Sequence, residues 1–209
     1  YIAGYDNVAG NIEWRLEKRN KTTGALCASG VECAAGAFGV GGVATSNPSA
    51  NIDAIYAMEI DGTHIYTAGH DSVISSANSE WRVEKRDIVT GALETAFDTD
   101  GVVQVNPNTV IDWVTTMIVD STSLYLGGFA GSTAGVWRLE KRDKVTGATT
   151  TAFSSNGNAL SDDGSDDRLN GMFSDGTYIY AGGYGSGPTD NQWVIEKRDA
   201  TTGLRVGSG

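Results

Sequence analysis

The residues best suited to chemistry in this chain are its aspartates. Asp162, Asp163, Asp166 and Asp167 stand within six positions of one another, and Asp98 and Asp100 precede Gly101. Clustered carboxylates supply the hard oxygen ligands that calcium requires, six to eight of them in most sites. Neither segment matches the twelve-residue calcium loop with its closing glutamate, so a solvated acidic loop is the competing reading. A second set, Asp53, Asp112 and Asp167, recurs five residues before Met58, Met117 and Met172. Such aspartates could gather as a ring of carboxylates, although an aspartate at a strand start more often accepts backbone N–H bonds in its own turn.

Nucleophilic and cofactor chemistry find little to work with. No G-x-S-x-G motif occurs, and the two histidines, His64 and His70, fit surface or loop positions. The string Gly39 to Ala44 matches a loose dinucleotide-binding pattern, but no helix follows to offer its N-terminus to a phosphate. Its repeat counterparts mark it as a strand turn, and no cofactor is expected apart from calcium. Cys27 and Cys33 lie in one insert and most simply form a local disulfide, which fits an oxidising extracellular compartment; free thiols are the alternative. Metal or haem attachment is disfavoured because C-x-x-C-H is absent.

The elements that carry these residues form a repeat. WRLEKRNKTTGAL, WRVEKRDIVTGAL, WRLEKRDKVTGAT and WVIEKRDATTGLR begin at Trp14, Trp81, Trp137 and Trp193, at spacings of 67, 56 and 56. The extra length of the first interval is the insert that brings in both cysteines. Ahead of each string runs a second, YIAGY, IYTAGH, LYLGGF or IYAGGY, and after the first three comes FGVGGVA, FDTDGVV or FSSNGNA. Self-similarity at this period signals an array of supersecondary units that must stack to bury their cores. The units fall at roughly 1–50, 51–108, 109–164 and 165–209, within a single repeat domain.

Each unit reads as four short strands. Ala54 to Ile60 alternates and stops at the Asp61-Gly62 turn, and Ile65 to Gly69 is small and apolar. The third strand places Trp81, Val83 and Lys85 on one face and Arg82, Glu84 and Arg86 on the other. The fourth is β-branched, around Gly101 to Val105, and no helical stripe persists anywhere. The expected fold is therefore all-β, a propeller-like array of about four four-stranded antiparallel blades. The chain starts within a second strand and stops soon after a third, which leaves a closed four-blade array short of a strand. It is then either part of a longer precursor or completed at an edge by a neighbouring copy, which invites head-to-tail assembly and even a filament.

The order of these strings resembles the bacterial propeller repeats called delta-sixty repeats. Those share a D-G turn, a V-A-G strand, an aromatic-to-arginine strand and an F-G-x-x-G strand. The resemblance covers essentially the whole chain and implies a propeller in secreted or surface proteins, without implying an activity. The chain departs from the pattern in its charged W-x-x-E-K-R strand and its cysteine-bearing insert.

Charge follows the repeat. The chain has 209 residues and a formal net charge of -11, with 22 of its 26 acidic residues outside the E-K-R triplets and 11 of its 15 cations in them or on an arginine two residues before. An acidic surface repels polyphosphate, so nucleic acid is an unfavourable partner, and no apolar run is long enough for membrane insertion. The triplets Glu17 to Arg19, Glu84 to Arg86, Glu140 to Arg142 and Glu196 to Arg198 can pair as a ladder with carboxylates of neighbouring strands. Left unpaired, they would form a basic strip for an anionic glycan. Two function classes follow. One is a non-catalytic extracellular scaffold or adhesion protein that self-associates or meets other surface proteins. The other is a carbohydrate- or small-ligand-binding module that uses the loops at 6–11, 71–79, 130–135 and 185–191. Asn20-Lys21-Thr22 is one glycosylation sequon.

Overall fold

The computed structural model describes residues 1–30, 33, 36–131, 135–162, 166–186 and 190–207. Among these residues there are fourteen strands and no helix, so the architecture is all-β, in four antiparallel sheets. The chain divides into two units, Tyr1–Val105 and Asn106–Gly209.

In the first unit, β1 (Ile2–Val8), β2 (Asn11–Glu17) and β3 (Val43–Ser46) form one sheet in chain order. The second sheet is a four-stranded meander of β4 (Ala54–Ile60), β5 (His64–Ser75), β6 (Asn78–Asp87) and β7 (Val102–Val105). The second unit mirrors this composition. Its sheets are β8 (Asp112–Val119) to β9 (Ser123–Ala130), β10 (Val136–Asp143) and β11 (Asn158–Ser161), then β12 (Arg168–Ser174), β13 (Tyr178–Ser186) and β14 (Asn191–Asp199). The outer two sheets in sequence order thus have three strands where four per blade were expected.

Local chemistry explains the turns. The turns after the first strands close because Asp61 Oδ1 accepts the Thr63 and His64 N–H groups; Asp175 repeats the arrangement in a second D-G turn and Asp120 in a D-S turn. The D-x-x-T-G turns use Asp87, Asp143 and Asp199 on Thr90, Thr146 and Thr202 in the same way. The Thr90 N–H holds the Asp87 carboxyl below the usual range. Much of the chain's acidity is therefore turn chemistry.

The second strand runs past the glycine where the sequence ended it, and that glycine, inside the strand, answers two geometric demands. The register slips by one residue between Ile55 and Ala57, and again at Val114/Thr116 and Leu169/Gly171, so the first strand of each complete meander carries a bulge. A Cβ on Gly69 would lie 1.9 Å from the Ala54 carbonyl oxygen, and Gly128 and Gly183 are equally confined. At Gly183 the second demand is visible, because a Cβ there would also come within 2.9 Å of the Trp137 ring.

Sheets within a unit pack face to face by one repeated set of contacts. In the first unit, Trp14, Leu16 and Phe38 of the first sheet are buried against Ile65 and its neighbours. Trp14 Nε1 donates to the His70 carbonyl at 3.0 Å, Lys18 Nζ reaches the Ile88 carbonyl, and the Arg82 guanidinium stands 5.7 Å from the Trp14 ring centre. In the second unit, Trp137, Leu139 and Phe153 occupy the same roles against Ile179 and Ala181. Trp137 Nε1 donates to the Tyr184 carbonyl at 3.0 Å, and Lys141 Nζ to the Ala200 carbonyl. Burying one such indole removes about 200 Å² from water, an upper estimate of about 5 kcal/mol.

His70 departs from the surface position expected of it. It is 2% exposed, because period two places it with Tyr66 and Ala68 on the Trp81 face, where it lies opposite Trp81 and stacks on Tyr56. Burial pushes its imidazole down to about 4. Cys27 also lies deeper than an exposed loop would place it, since its backbone bonds to Lys18 and Phe38 and its side chain is fully buried with Leu16.

The turn glycines beneath the phenylalanines provide a test of this packing. Gly91 has φ +76°, and a Cβ there would sit 2.9 Å from the Phe38 ring, whereas Gly10, at φ +92°, has open space around it. Gly91→Ala combines backbone strain with overpacking and should cost about 2–3 kcal/mol in urea unfolding, against about 1 kcal/mol for Gly10→Ala. Equal losses would contradict the face-to-face packing assigned to Phe38.

Candidate functional site

The recurrent charged strand proves to be an internal clamp. Arg82 Nη2 and Arg86 Nη2 each lie 2.8 Å from one oxygen of Glu84, whose side chain is 1% exposed. Arg138 and Arg142 hold Glu140 in the same way at 2.6 and 2.8 Å, and Arg15 and Arg19 hold Glu17 at 2.7 and 2.6 Å. The second arginine of each set also donates through Nη1 to the turn glycine's carbonyl: Arg19 to Gly24, Arg86 to Gly91, Arg142 to Gly147 and Arg198 to Gly203. Pairing runs along the strand and also reaches a carboxylate of the neighbouring strand in two copies, Asp6 for Arg15 at 3.1 Å and Asp71 for Arg82 at 3.2 Å, as the ladder expectation has it. Side chains at i and i+2 share a face, so a glutamate between two arginines reaches both without crossing the sheet.

The fourth copy reveals a residue that the repeat pattern did not single out. Val194 stands where the other three copies have their first arginine, and Glu196 pairs instead with Arg198 at 2.7 Å and with Arg205. Arg205 comes from the chain beyond the turn, where it bridges to Arg198 across an antiparallel backbone pair. Only alignment of the strand with its following turn, not of the strand alone, could have exposed this substitution.

The aspartates preceding the first strands are buried acceptors. Asp53 takes the Ser49 N–H at 3.1 Å and the Ser72 N–H at 2.9 Å, and Asp112 takes those of Asn108 and Gly131. Asp167 accepts the Ser186 N–H at 2.9 Å. Each therefore ties a strand start to the far end of the second strand, at an equivalent place in three sheets. Burial pushes the Asp112 carboxyl up to about 6, against the hydrogen bonds that favour its charged form.

The calcium candidates do not converge. Asp166 Oδ1 is 2.9 Å from Arg168 Nε, Asp167 is engaged as above, Asp162 is exposed, and Asp163 lies outside the described residues. Asp98 is exposed at a left-handed turn position, while Asp100 accepts the Val102 N–H. Among the described residues no three His, Cys, Asp or Glu side chains group as a metal site. Cys27 and Cys33 are joined as a disulfide that closes part of the insert.

Another group of polar side chains meets at the far end of the second sheet. Asp71 of β5 lies directly opposite Glu80 of β6, and Gln104 Nε2 bridges their carboxylates at 3.0 and 2.8 Å. Arg82 Nη1 contacts Asp71 at 3.2 Å. Burial first, and the facing Asp71 charge second, push the Glu80 carboxyl up to about 7. This pair could not be read from the sequence, because eight residues stand between the two acids and only the hairpin register joins them. In the same unit a cavity of about 580 Å³ is lined by Arg15, Val40, Val43, Thr45, Arg86 and Thr90. Its lining offers guanidinium, hydroxyl and backbone groups but no carboxylate.

No family model matches the chain, and no curated protein or solved structure matches it either.

Two measurements examine these assignments. Glu84→Gln leaves Arg82 and Arg86 buried without their shared counter-charge and should cost about 3–5 kcal/mol; Glu17→Gln, in the more exposed triad, should cost about 1 kcal/mol. A reversed order in thermal or urea unfolding would contradict the clamp. For Asp112, the folded carboxyl binds its proton more tightly than the unfolded one. Its contribution is then most favourable below about pH 4 and is lost as pH rises through about 6. Relative to wild type, Asp112→Asn should gain up to about 3 kcal/mol between pH 4 and 7. A difference that stays constant over that range would refute the burial penalty.

Proposed function

We propose that this chain is a non-catalytic extracellular structural protein, a scaffold or adhesin of propeller repeats of the delta-sixty kind, that works by self-association. One observation carries this reading: the ionisable residues that recur from repeat to repeat are engaged in holding strand, turn and sheet together. The Arg–Glu–Arg clamps and the strand-start aspartates are buried or half-buried with partners of their own chain. A repeat whose conserved spacing serves assembly leaves function to the body it builds. The Cys27–Cys33 disulfide supports an oxidising location. Immunogold labelling of intact producing cells should place the chain at the cell surface or in the surrounding matrix. Confinement to the cytosol would overturn the reading.

A carbohydrate-binding role is favoured by a different observation, the Asp71–Glu80–Gln104 group beside the variable loop from Asp71 to Ser79. Glu80 and Gln104, with Asp71 buried behind them, offer the acceptor and donor that sugar hydroxyls require. On this reading, glycan-array binding is present at pH 7 and falls at least tenfold in Gln104→Ala. Absence of binding across the array removes the second reading and leaves the first standing.

A further inference from the structure

Of the four tryptophans that open the repeated strings, one does not share the others' burial. Trp14, Trp81 and Trp137 are each 1% exposed, while Trp193 is 93% exposed. Its face of the last sheet is uncovered as a whole. The register aligns Trp193 with Tyr184, Ile195 with Gly182, and Lys197 with Tyr180 and Phe173, and Ile195 and Phe173 are 77% and 67% exposed. These rows correspond to the ones that the first sheet presents through Trp14, Leu16 and Lys18 to the second.

The opposite face is uncovered on the first sheet. Ile2 is 56% exposed, although its repeat equivalents Thr67, Leu126 and Ala181 are buried. Arg15 and Arg19 keep 32% and 38% of their side chains exposed, whereas Arg82 and Arg86 keep 10% and 8%. Beside Arg15 lies a depression of about 140 Å³, lined by Ile2, Ala3, Gly4, Tyr5, Arg15 and Glu17. Gly4 is the equivalent of Gly183, over which Trp137 is seated, yet a Cβ on Gly4 would meet nothing within 4 Å. The depression therefore has the address of an indole and holds none.

We propose that Trp193 of one copy of this chain seats in the Gly4–Arg15 depression of a second copy, making a head-to-tail interface. The proposal rests on the self-associating reading above and names its contact. The two packed sheet pairs supply the pattern: the Trp193 N–H donates to the Tyr5 carbonyl, as Trp14 does to His70 and Trp137 to Tyr184. Lys197 Nζ reaches the Lys21 carbonyl, as Lys18 reaches that of Ile88. Electrostatics match as well, since the Arg15 guanidinium lies where it would cover the electron-rich indole face, as Arg82 covers Trp14. Three strands of nine residues or fewer give a footprint of roughly 30 by 14 Å per partner. With side-chain relief, that lies near the lower bound of about 1,200 Å² for a specific interface, so association should depend on concentration. Because the two faces differ, the contact is heterologous and each copy retains one free face of each kind until the array closes or ends.

Sedimentation and light scattering on the whole chain test this with two variants. Trp193→Ala removes the donor, and Gly4→Gln fills the acceptor at a position with open space, so neither should disturb the fold; unchanged circular dichroism and melting temperature verify that. Wild type should associate as its concentration rises into the micromolar range, and Trp193→Ala should weaken association about thirtyfold or more, as a central tryptophan does. Each variant alone should be monomeric, and an equimolar mixture should form a dimer that grows no further, because one intact donor then meets one intact acceptor. Wild type that stays monomeric overturns both the contact and self-association, and leaves surface location to the labelling experiment. Association that persists in Trp193→Ala overturns this contact alone. Self-association of Gly4→Gln would show tryptophan meeting tryptophan and also overturn it. Quenching of Trp193 fluorescence by a free glycan, with no change in mass, assigns the face to carbohydrate instead.

Discussion

The structure depends on one contact: an indole laid over a glycine of the next sheet, with its N–H on the carbonyl of the residue after that glycine. A small antiparallel sheet has two faces, and neither can be left to water if both carry apolar rows. The tryptophan covers one sheet's face with its ring and enters the next through the space that a missing Cβ leaves. Its N–H, which would be costly to bury unpaired, finds a carbonyl within the second strand. The glycine is then fixed twice, by the ring above it and by the bulged carbonyl of the first strand beside it. Any larger residue at Gly183 would collide with Arg168 backbone and Trp137 together.

Placing charged residues on the facing surface would be expensive unless their charges were closed off within the strand. Each glutamate takes one arginine on each carboxylate oxygen, and the second arginine then reaches the carbonyl of the turn glycine. Most of the set is made within its own sheet, and packing adds the last acceptor, Ser46 Oγ for Arg86 and Ser161 Oγ for Arg198, each from the neighbouring sheet. Desolvating such a set costs less than desolvating separate ions, and removing any one member strands the others. In the first unit the same arrangement sets the Arg82 guanidinium over the Trp14 indole, so that clamp and contact meet there; in the second unit Val194 stands in its place.

The repeat, the strand order and the two faces of the third strand were legible because period two and turn chemistry are local properties written in consecutive residues. Asp61-Gly62 and the D-x-x-T-G strings mark their own turns, and Trp81 and Arg82 declare opposite faces by adjacency. What could not be read depended on neighbours. His70 looks like any polar residue at a strand end until its cross-strand partner proves to be Trp81. Asp71 and Glu80 become a pair only through the hairpin register, and Arg205 becomes a clamp member only because the turn brings it back beside Arg198. Cys27 was legible as a disulfide partner, but not as part of the core that the insert helps to fill.

Trp193 shows the same limit in its sharpest form. Its local sequence is nearly that of Trp14, Trp81 and Trp137, so intrinsic preference assigns all four the same place. Burial, however, belongs to a pair of surfaces, and a strand's own residues do not say whether a facing sheet is present. Natural arrays cap such faces with polar residues when solvent is the intended neighbour. Here Trp193, Ile195 and Phe173 retain the apolar rows, and Gly4 retains the space. Exposed apolar rows of this kind suit a partner surface better than water.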